Sequence, residues 1–395
     1  MLQRLIVENF RSIERAEIDL SSPTIAFVGR NGAGKTNVLH AILLAAKSCV
    51  GDNSHGYLPR PHRTDRPLHF DLTFKIDGHV YRYIYDRHFN SNEDFELKES
   101  MEVNGQSIFD RKDLTITTEL DGYRSIKLAE QTSAMEGLLA LVPDDVQGLN
   151  TLRIAKGYLE SVRYYPLAQR FEEHRMPRSP LITAQEFDAW FTDPEKSDRV
   201  RSVQFRIIAM SEHFPEKLEE LQVILGDKGL GLISEIQVGK VEIPESESTS
   251  NLENKVNNHA YIVGFTPGYG IAGSERNFWA LGLSAGTLRV LQLLTFLIYD
   301  ESSCALMEQP EDSVHDGLLV KVIDVLKAYS HKTQLLCTTH SAGIMNSFDS
   351  TMIRLVSADE RGLTNVNSLS ESEVICAQQY LEDEGSLSEF LEGLQ

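Results

Sequence analysis

The stretch TIAFVGRNGAGKTNVLHAILLAAKSCV, residues 24–50, decides the fold. Residues 24–29 form a short continuous apolar run, the pattern of a strand covered on both faces. GRNGAGKT (29–36) then matches GxxxxGK[ST], and Val38, Leu39, Ile42, Leu43 and Ala46 recur behind it at helical spacing. Strand, glycine-rich turn and helix in this order are what phosphate binding requires. Gly29, Gly32 and Gly34 let the main chain wrap an anion with its N–H groups inward, with Asn31, Ala33 and Asn37 as the neighbouring loop positions. The helix N-terminus adds the positive end of its dipole. In such a loop a lysine at position 35 reaches the β- and γ-phosphates of ATP, and a threonine at 36 ligates Mg²⁺.

Working outward, QRLIVENF (3–10) and SIERAEIDL (12–20) read as strands. Period-two alternation in 69–86, with Phe70, Leu72, Phe74 and Ile76 on one face, and the turn dipeptides Asp77-Gly78 and Asn104-Gly105 predict antiparallel hairpins. ITTELDGYRSIKL (116–128) supplies a further strand. From about 126 to 260 the pattern turns helical, in segments such as SAMEGLLALV, TLRIAKGYLESVRYY, AQEFDAWF and EHFPEKLEELQVIL, interrupted by Pro166, Pro177, Pro180, Pro194 and Pro215. Long uninterrupted heptads are absent, so a coiled-coil arm is not expected. The polar run 245–258 reads as an exposed loop.

Three elements follow in order. LGLSAGTLRVLQLLTFLIY opens with Ser284 and Gly286 at the start of an apolar helix. CALMEQPEDSVH (304–315) is a strand that ends in acids. TQLLCTTHSAGIM is another strand, with Thr339 and His340 at its carboxyl end. Ligands of open α/β sheets bind at the carboxyl ends of strands, which is where Lys35, Glu308 and His340 are expected.

In this ordered combination the sequence resembles the ABC-type ATPase superfamily, in its SMC, RecF and OLD-like branch. LIVENFRSI looks like that branch's opening strand, GRNGAGKT its Walker A, LSAGTLR its signature, LMEQPEDSVH its Walker B and D-loop, and TTHS its H-loop. The resemblance implies an α/β head with a mixed sheet, flanking helices and an antiparallel β-subdomain, carrying a compact helical insertion. Its parts would be 1–125 (Walker A and β-subdomain), 126–260 (insertion) and 261–395 (signature, Walker B, H-loop and a helical tail). It also implies two heads joined by two ATP molecules, with Ser284 and Gly286 of one acting on nucleotide held by the Walker A loop of the other. Glu308 would hold Mg²⁺ together with Thr36, His340 would contact the γ-phosphate, and Arg11 would meet the nucleotide's edge. Gln106, Gln131 and Gln169 all remain candidates for the Q-loop glutamine.

The residue after the Walker B acid is normally a glutamate base in that branch. Here it is Gln309, which hydrogen-bonds a water but accepts no proton from it. The chain is therefore expected to bind ATP and turn it over slowly. Either it is a slow switch by nature, or a glutamate has been replaced to trap the ATP-bound state. The intact companion motifs favour replacement.

Composition bounds the partners. The net charge of −20 argues against a protein that coats nucleic acid over its whole surface, although the basic clusters 60–66, 169–178 and 196–206 leave local nucleic-acid contact open. The four cysteines are scattered without a CxxC pair, and no apolar run is long enough to span a bilayer, so a cytoplasmic setting without membrane contact is expected. No nuclease or catalytic cysteine constellation appears, and residues 341–395 leave little room for a TOPRIM-like nuclease after the H-loop. The leading expectation is an ATPase sensor or regulator of a separate effector, such as a nuclease or toxin, in anti-phage defence. The alternative is a RecF-like DNA-repair loading ATPase, and a transporter ATPase ranks below both.

Overall fold

A computed structural model describes residues 1–51, 61–88, 96–120, 122, 124–129, 132–146, 148–166, 181–192, 202–242, 259–268, 282–382 and 385–394. The chain divides into two compact units, 1–166 with 302–309 and 323–395, and 167–301 with 310–322.

The first unit opens with β1 (Leu2–Phe10), β2 (Ile13–Asp19) and β3 (Thr24–Val28), followed by α1 (Lys35–Val50). A meander follows: β4 (Leu68–Ile76), β5 (His79–Arg87), β6 (Leu97–Val103), β7 (Gln106–Lys112), β8 (Thr115–Thr118) and β9 (Ser125–Lys127). These strands make an antiparallel sheet in the order β2-β1-β4-β5-β6-β7-β8-β9. The Asp77-Gly78 and Asn104-Gly105 turns carry positive φ at all four residues, as hairpin turns of this kind require. The segment 116–128 supplies two short strands, β8 and β9, where one was expected, because the positive-φ Gly122 lies in the turn that doubles it back.

Two helices, α2 (Ala134–Leu141) and α3 (Leu149–Glu160), lead into β10 (Val162–Tyr165). The second unit holds β11 (Leu181–Thr183), α4 (Ala184–Thr192), α5 (Ser202–His213), α6 (Pro215–Leu225), β12 (Ile233–Glu242), β13 (His259–Pro267) and α7 (Ala285–Asp300). Its strands form a three-stranded antiparallel sheet, β11-β13-β12, so this unit contains more than helices. Trp190 stacks on Phe205 at 5.2 Å, and Arg206 pairs with Asp300 at 2.7 Å while lying over the Phe296 ring.

The remaining elements are β14 (Cys304–Glu308), α8 (Asp316–Tyr329), β15 (Gln334–Thr339), α9 (Ala342–Met345), β16 (Ile353–Ala358), β17 (Thr364–Ser368), α10 (Glu371–Glu382) and α11 (Leu387–Leu394). The second sheet of the first unit runs β10-β14-β15-β3-β16-β17, parallel except for the β16–β17 pair. Strands β3 and β15 are buried at every residue, which suits the apolar run 25–28 of β3, while β15 also buries the polar Gln334, Thr338 and Thr339.

The structural division departs from the boundaries drawn at 125 and 260. Residues 162–165, read as the end of a helix, are strand β10, which pairs in parallel with Cys304–Met307 and ties 126–166 to the first unit. Val and Tyr fit a strand better than a helix, and Pro166 disfavours helical backbone just before it. Residues 261–301 fall in the second unit because β13 pairs with β11 and β12. The run 245–258 and the cluster 169–178 lie outside the described residues.

Candidate nucleotide site

The first unit brings the carboxyl ends of β3, β14 and β15 side by side. β3 runs directly into the 29–36 loop, and α1 begins at Lys35. Gly34, the residue preceding α1, has φ 99°, and a Cβ there would lie 1.9 Å from the Thr364 hydroxyl, so only glycine fits. That hydroxyl donates to the Ala33 carbonyl at 3.0 Å and lies 2.7 Å from Ser12 Oγ, which accepts from the Asn37 amide at 2.7 Å. The loop is thereby fastened to both β17 and the β1–β2 turn. Lys35 is buried, and its ammonium donates to the Gly29 carbonyl at 2.6 Å and the Arg30 carbonyl at 3.1 Å. Asn31 and Gly32 are exposed at the loop tip.

Thr36 on the first turn of α1 donates its hydroxyl to Glu308 Oε1 at the end of β14. Next to Glu308, Gln309 has φ 45°, and its N–H donates to the Thr338 carbonyl at 3.1 Å. Its side-chain Nε2 lies 3.2 Å from His340 Nδ1. Arg11, in the β1–β2 turn, donates from Nη1 to Asn37 Oδ1 at 3.2 Å and contacts His40 Nδ1 at 2.5 Å. Burial, reinforced by the Arg11 charge, holds the His40 imidazole down at a pKa of about 4, so it is neutral at pH 7 and accepts from Arg11.

Arg11, the 29–37 loop, Glu308, Gln309 and His340 thus gather in one unit. Ser284 and Gly286 belong to the other. Ser284 caps α7, accepting from the Thr287 N–H at 3.1 Å, and is exposed. A Cβ on Gly286 would come 2.6 Å from the Ser313 carbonyl, so the start of α7 packs directly on the segment 310–315. Arg289 fastens the same segment by donating to the Asp312 carbonyl at 3.2 Å. Glu311, three residues past Glu308, is buried beside this arginine. Of the Q-loop candidates, Gln106 sits at the hairpin end of β7, whereas Gln131 and Gln169 fall outside the described residues.

The donors suit the group that the loop implies. A hydroxyl and a carboxylate oxygen meeting at one point are the hard ligands Mg²⁺ prefers, and the positive φ of Gly32 and Gly34 gives the loop the backbone freedom that wrapping a phosphate needs. One residue at the site escapes the sequence reading. Tyr164 of β10 donates its phenol to Glu308 Oε2 at 2.5 Å. The signal for it was VRYY before a proline, which suits an edge strand better than the helix end read there.

A family model described as "AAA domain, putative AbiEii toxin, Type IV TA system" matches residues 25–346. The chain belongs to this family of AAA domains. Its fold is that of an SMC head. The crystal structure of the SmcHead bound to the C-winged helix domain of ScpA superposes with a TM-score of 0.53 at 15% identity, covering 95% of this chain and 99% of that one. Among curated relatives, the DNA replication and repair protein RecF of Treponema pallidum (strain Nichols) is 55% identical over 38 residues, 10% of this chain and 11% of its own. RecF of Leptospira biflexa serovar Patoc (strain Patoc 1 / Ames) is 24% identical over 176 residues, 44% of this chain and 43% of its own. The chain thus spans less than half the length of these relatives. Among the described residues, no helix is long and apolar enough to cross a membrane.

Proposed function

We propose that this chain is an ATP-binding, slowly hydrolysing switch that pairs head to head around ATP and Mg²⁺ and regulates a separate effector, such as a nuclease or toxin, in anti-phage defence. The observation that carries the nucleotide reading is the meeting of Thr36 and Glu308, from α1 and β14, beside the Lys35 loop. Mg²⁺ bound there would neutralise charge on the β- and γ-phosphate oxygens. Lys35 would exchange its loop carbonyls for phosphate oxygens. Gln309 and His340 would orient a water, and the amide would take no proton from it, so turnover would be slow. Exposed Ser284 at the N-terminus of α7 would cap the partner head's γ-phosphate in trans. The defence reading draws on the toxin–antitoxin wording of the family description.

Fluorescent-nucleotide titration with Mg²⁺ tests the first step. ATP should bind, and Lys35→Ala should abolish binding; retention in that variant would remove the Walker A assignment. Sedimentation should show ATP-promoted dimers that Ser284→Arg weakens while monomers still bind nucleotide. The second reading, a DNA-loading ATPase, is favoured by the RecF relatives. It requires ATP-dependent DNA binding whose affinity falls steeply with salt, because at a net charge of −20 only local basic clusters could supply the contacts.

A further inference from the structure

The contact between Tyr164 and Glu308 closes a ring that the nucleotide reading does not use. Tyr164 pairs in register with Leu306, and Leu306 and Glu308 share one face of β14, so the phenol reaches one step along the strand to the carboxylate. Thr36 and His40 are four residues apart on α1 and therefore lie on one face of that helix. Thr36 donates to Oε1 of the same carboxylate, and the His40 ring meets the Tyr164 ring edge-on, with centroids 4.9 Å apart. Arg11 in turn holds His40 at 2.5 Å. Each oxygen of Glu308 thus faces a different hydroxyl, Oε1 toward the phosphate loop and Oε2 toward the edge strand. The neighbouring Tyr165 points the other way, its hydroxyl 3.0 Å from Ser302 Oγ in the core.

A carboxylate held in this way presents one oxygen to a cation and keeps the other occupied. Mg²⁺ demands near-octahedral geometry and takes carboxylates through single oxygens, whereas the larger Ca²⁺ accepts both oxygens of one group. We propose that Tyr164 is a positioning residue that holds Glu308 as a one-oxygen ligand and so sets the site's preference for small divalent cations. His40, locked by Arg11, braces the phenol ring. The role rests on the ATP·Mg²⁺ reading above and adds to it a residue that acts on the metal through Glu308.

The test is Tyr164→Phe in the full chain, which removes the hydroxyl and keeps the ring against His40. The probe is Mn²⁺, followed by electron paramagnetic resonance in the presence of ATP, with competition by Mg²⁺ and by Ca²⁺. Mn²⁺ and Mg²⁺ affinities should fall about 10–100-fold, the usual cost of losing a group that orients a metal ligand. Ca²⁺ affinity should fall less, narrowing the preference, and ATP affinity in EDTA should stay within about twofold. Metal affinities equal to the parent's would overturn the proposal. So would a parallel loss for all three cations and for metal-free ATP, which would make Tyr164 a general support of the site. Absence of metal-dependent ATP binding in the parent chain would instead overturn the nucleotide reading on which the proposal rests.

Discussion

Replacing Gln309 with glutamate should speed ATP hydrolysis, and the structure limits what else the change does. The main chain at 309 is held by its N–H, which donates to the Thr338 carbonyl at 3.1 Å and also lies 3.2 Å from the Thr338 hydroxyl, and by its φ of 45°. Glutamate and glutamine have the same heavy-atom shape, so the side chain should keep its place 3.2 Å from His340 Nδ1. What changes is chemistry. The amide donates to that nitrogen, whereas a carboxylate accepts from its protonated form and also takes a proton from water. A positioned general base contributes about 10²–10⁴-fold, or about 3–5 kcal/mol of barrier. Single-turnover hydrolysis at saturating ATP and Mg²⁺ should therefore accelerate by about that factor in Gln309→Glu. The gain should vanish when His340 is also replaced by alanine. Thermal stability should stay close to the parent's, since no buried contact is lost. Equal rates in parent and variant would refute the assignment and mean that another group supplies the base.

His40 makes stability pH-dependent. Its folded pKa is depressed from 6.5 to about 4 by burial and by Arg11, partly offset by Glu308, so the unfolded chain binds a proton in that window that the folded chain refuses. The stabilisation is therefore full above pH 6.5 and is lost as pH falls toward 4, approaching about 3 kcal/mol. Urea titrations of the nucleotide-free chain at pH 7 and 4.5 should show His40→Gln losing less stability than the parent; equal losses would contradict the shift. Gly34→Ala adds a Cβ in left-handed backbone, 1.9 Å from the Thr364 hydroxyl. It should destabilise the first unit by about 3 kcal/mol through strain and overlap, measured by urea midpoint, and a parent-like midpoint would mean the loop re-forms around it.

The positions of the phosphate loop, Glu308, Gln309 and His340 were legible because each lies at the carboxyl end of a short strand with an apolar centre, a pattern that burial on both faces imposes. The hairpins of the first sheet were legible through their glycine turns. Both signals are local: a turn type or a strand pattern is imposed by residues next to one another. Residues 162–165 were not legible as a strand, since four residues carry little periodicity and their partner, β14, lies far along the chain. The reach of Tyr164 to Glu308 likewise depends on which strand lies at the sheet edge. The neutral state of His40 depends on burial against Arg11 and Tyr164 that no spacing encodes. The sequence alone determined which residues could carry phosphate and metal chemistry, because those requirements act over a few neighbouring positions. Only the tertiary structure decided which side chain hydrogen-bonds the second oxygen of Glu308, because that rests on strand order and long-range register.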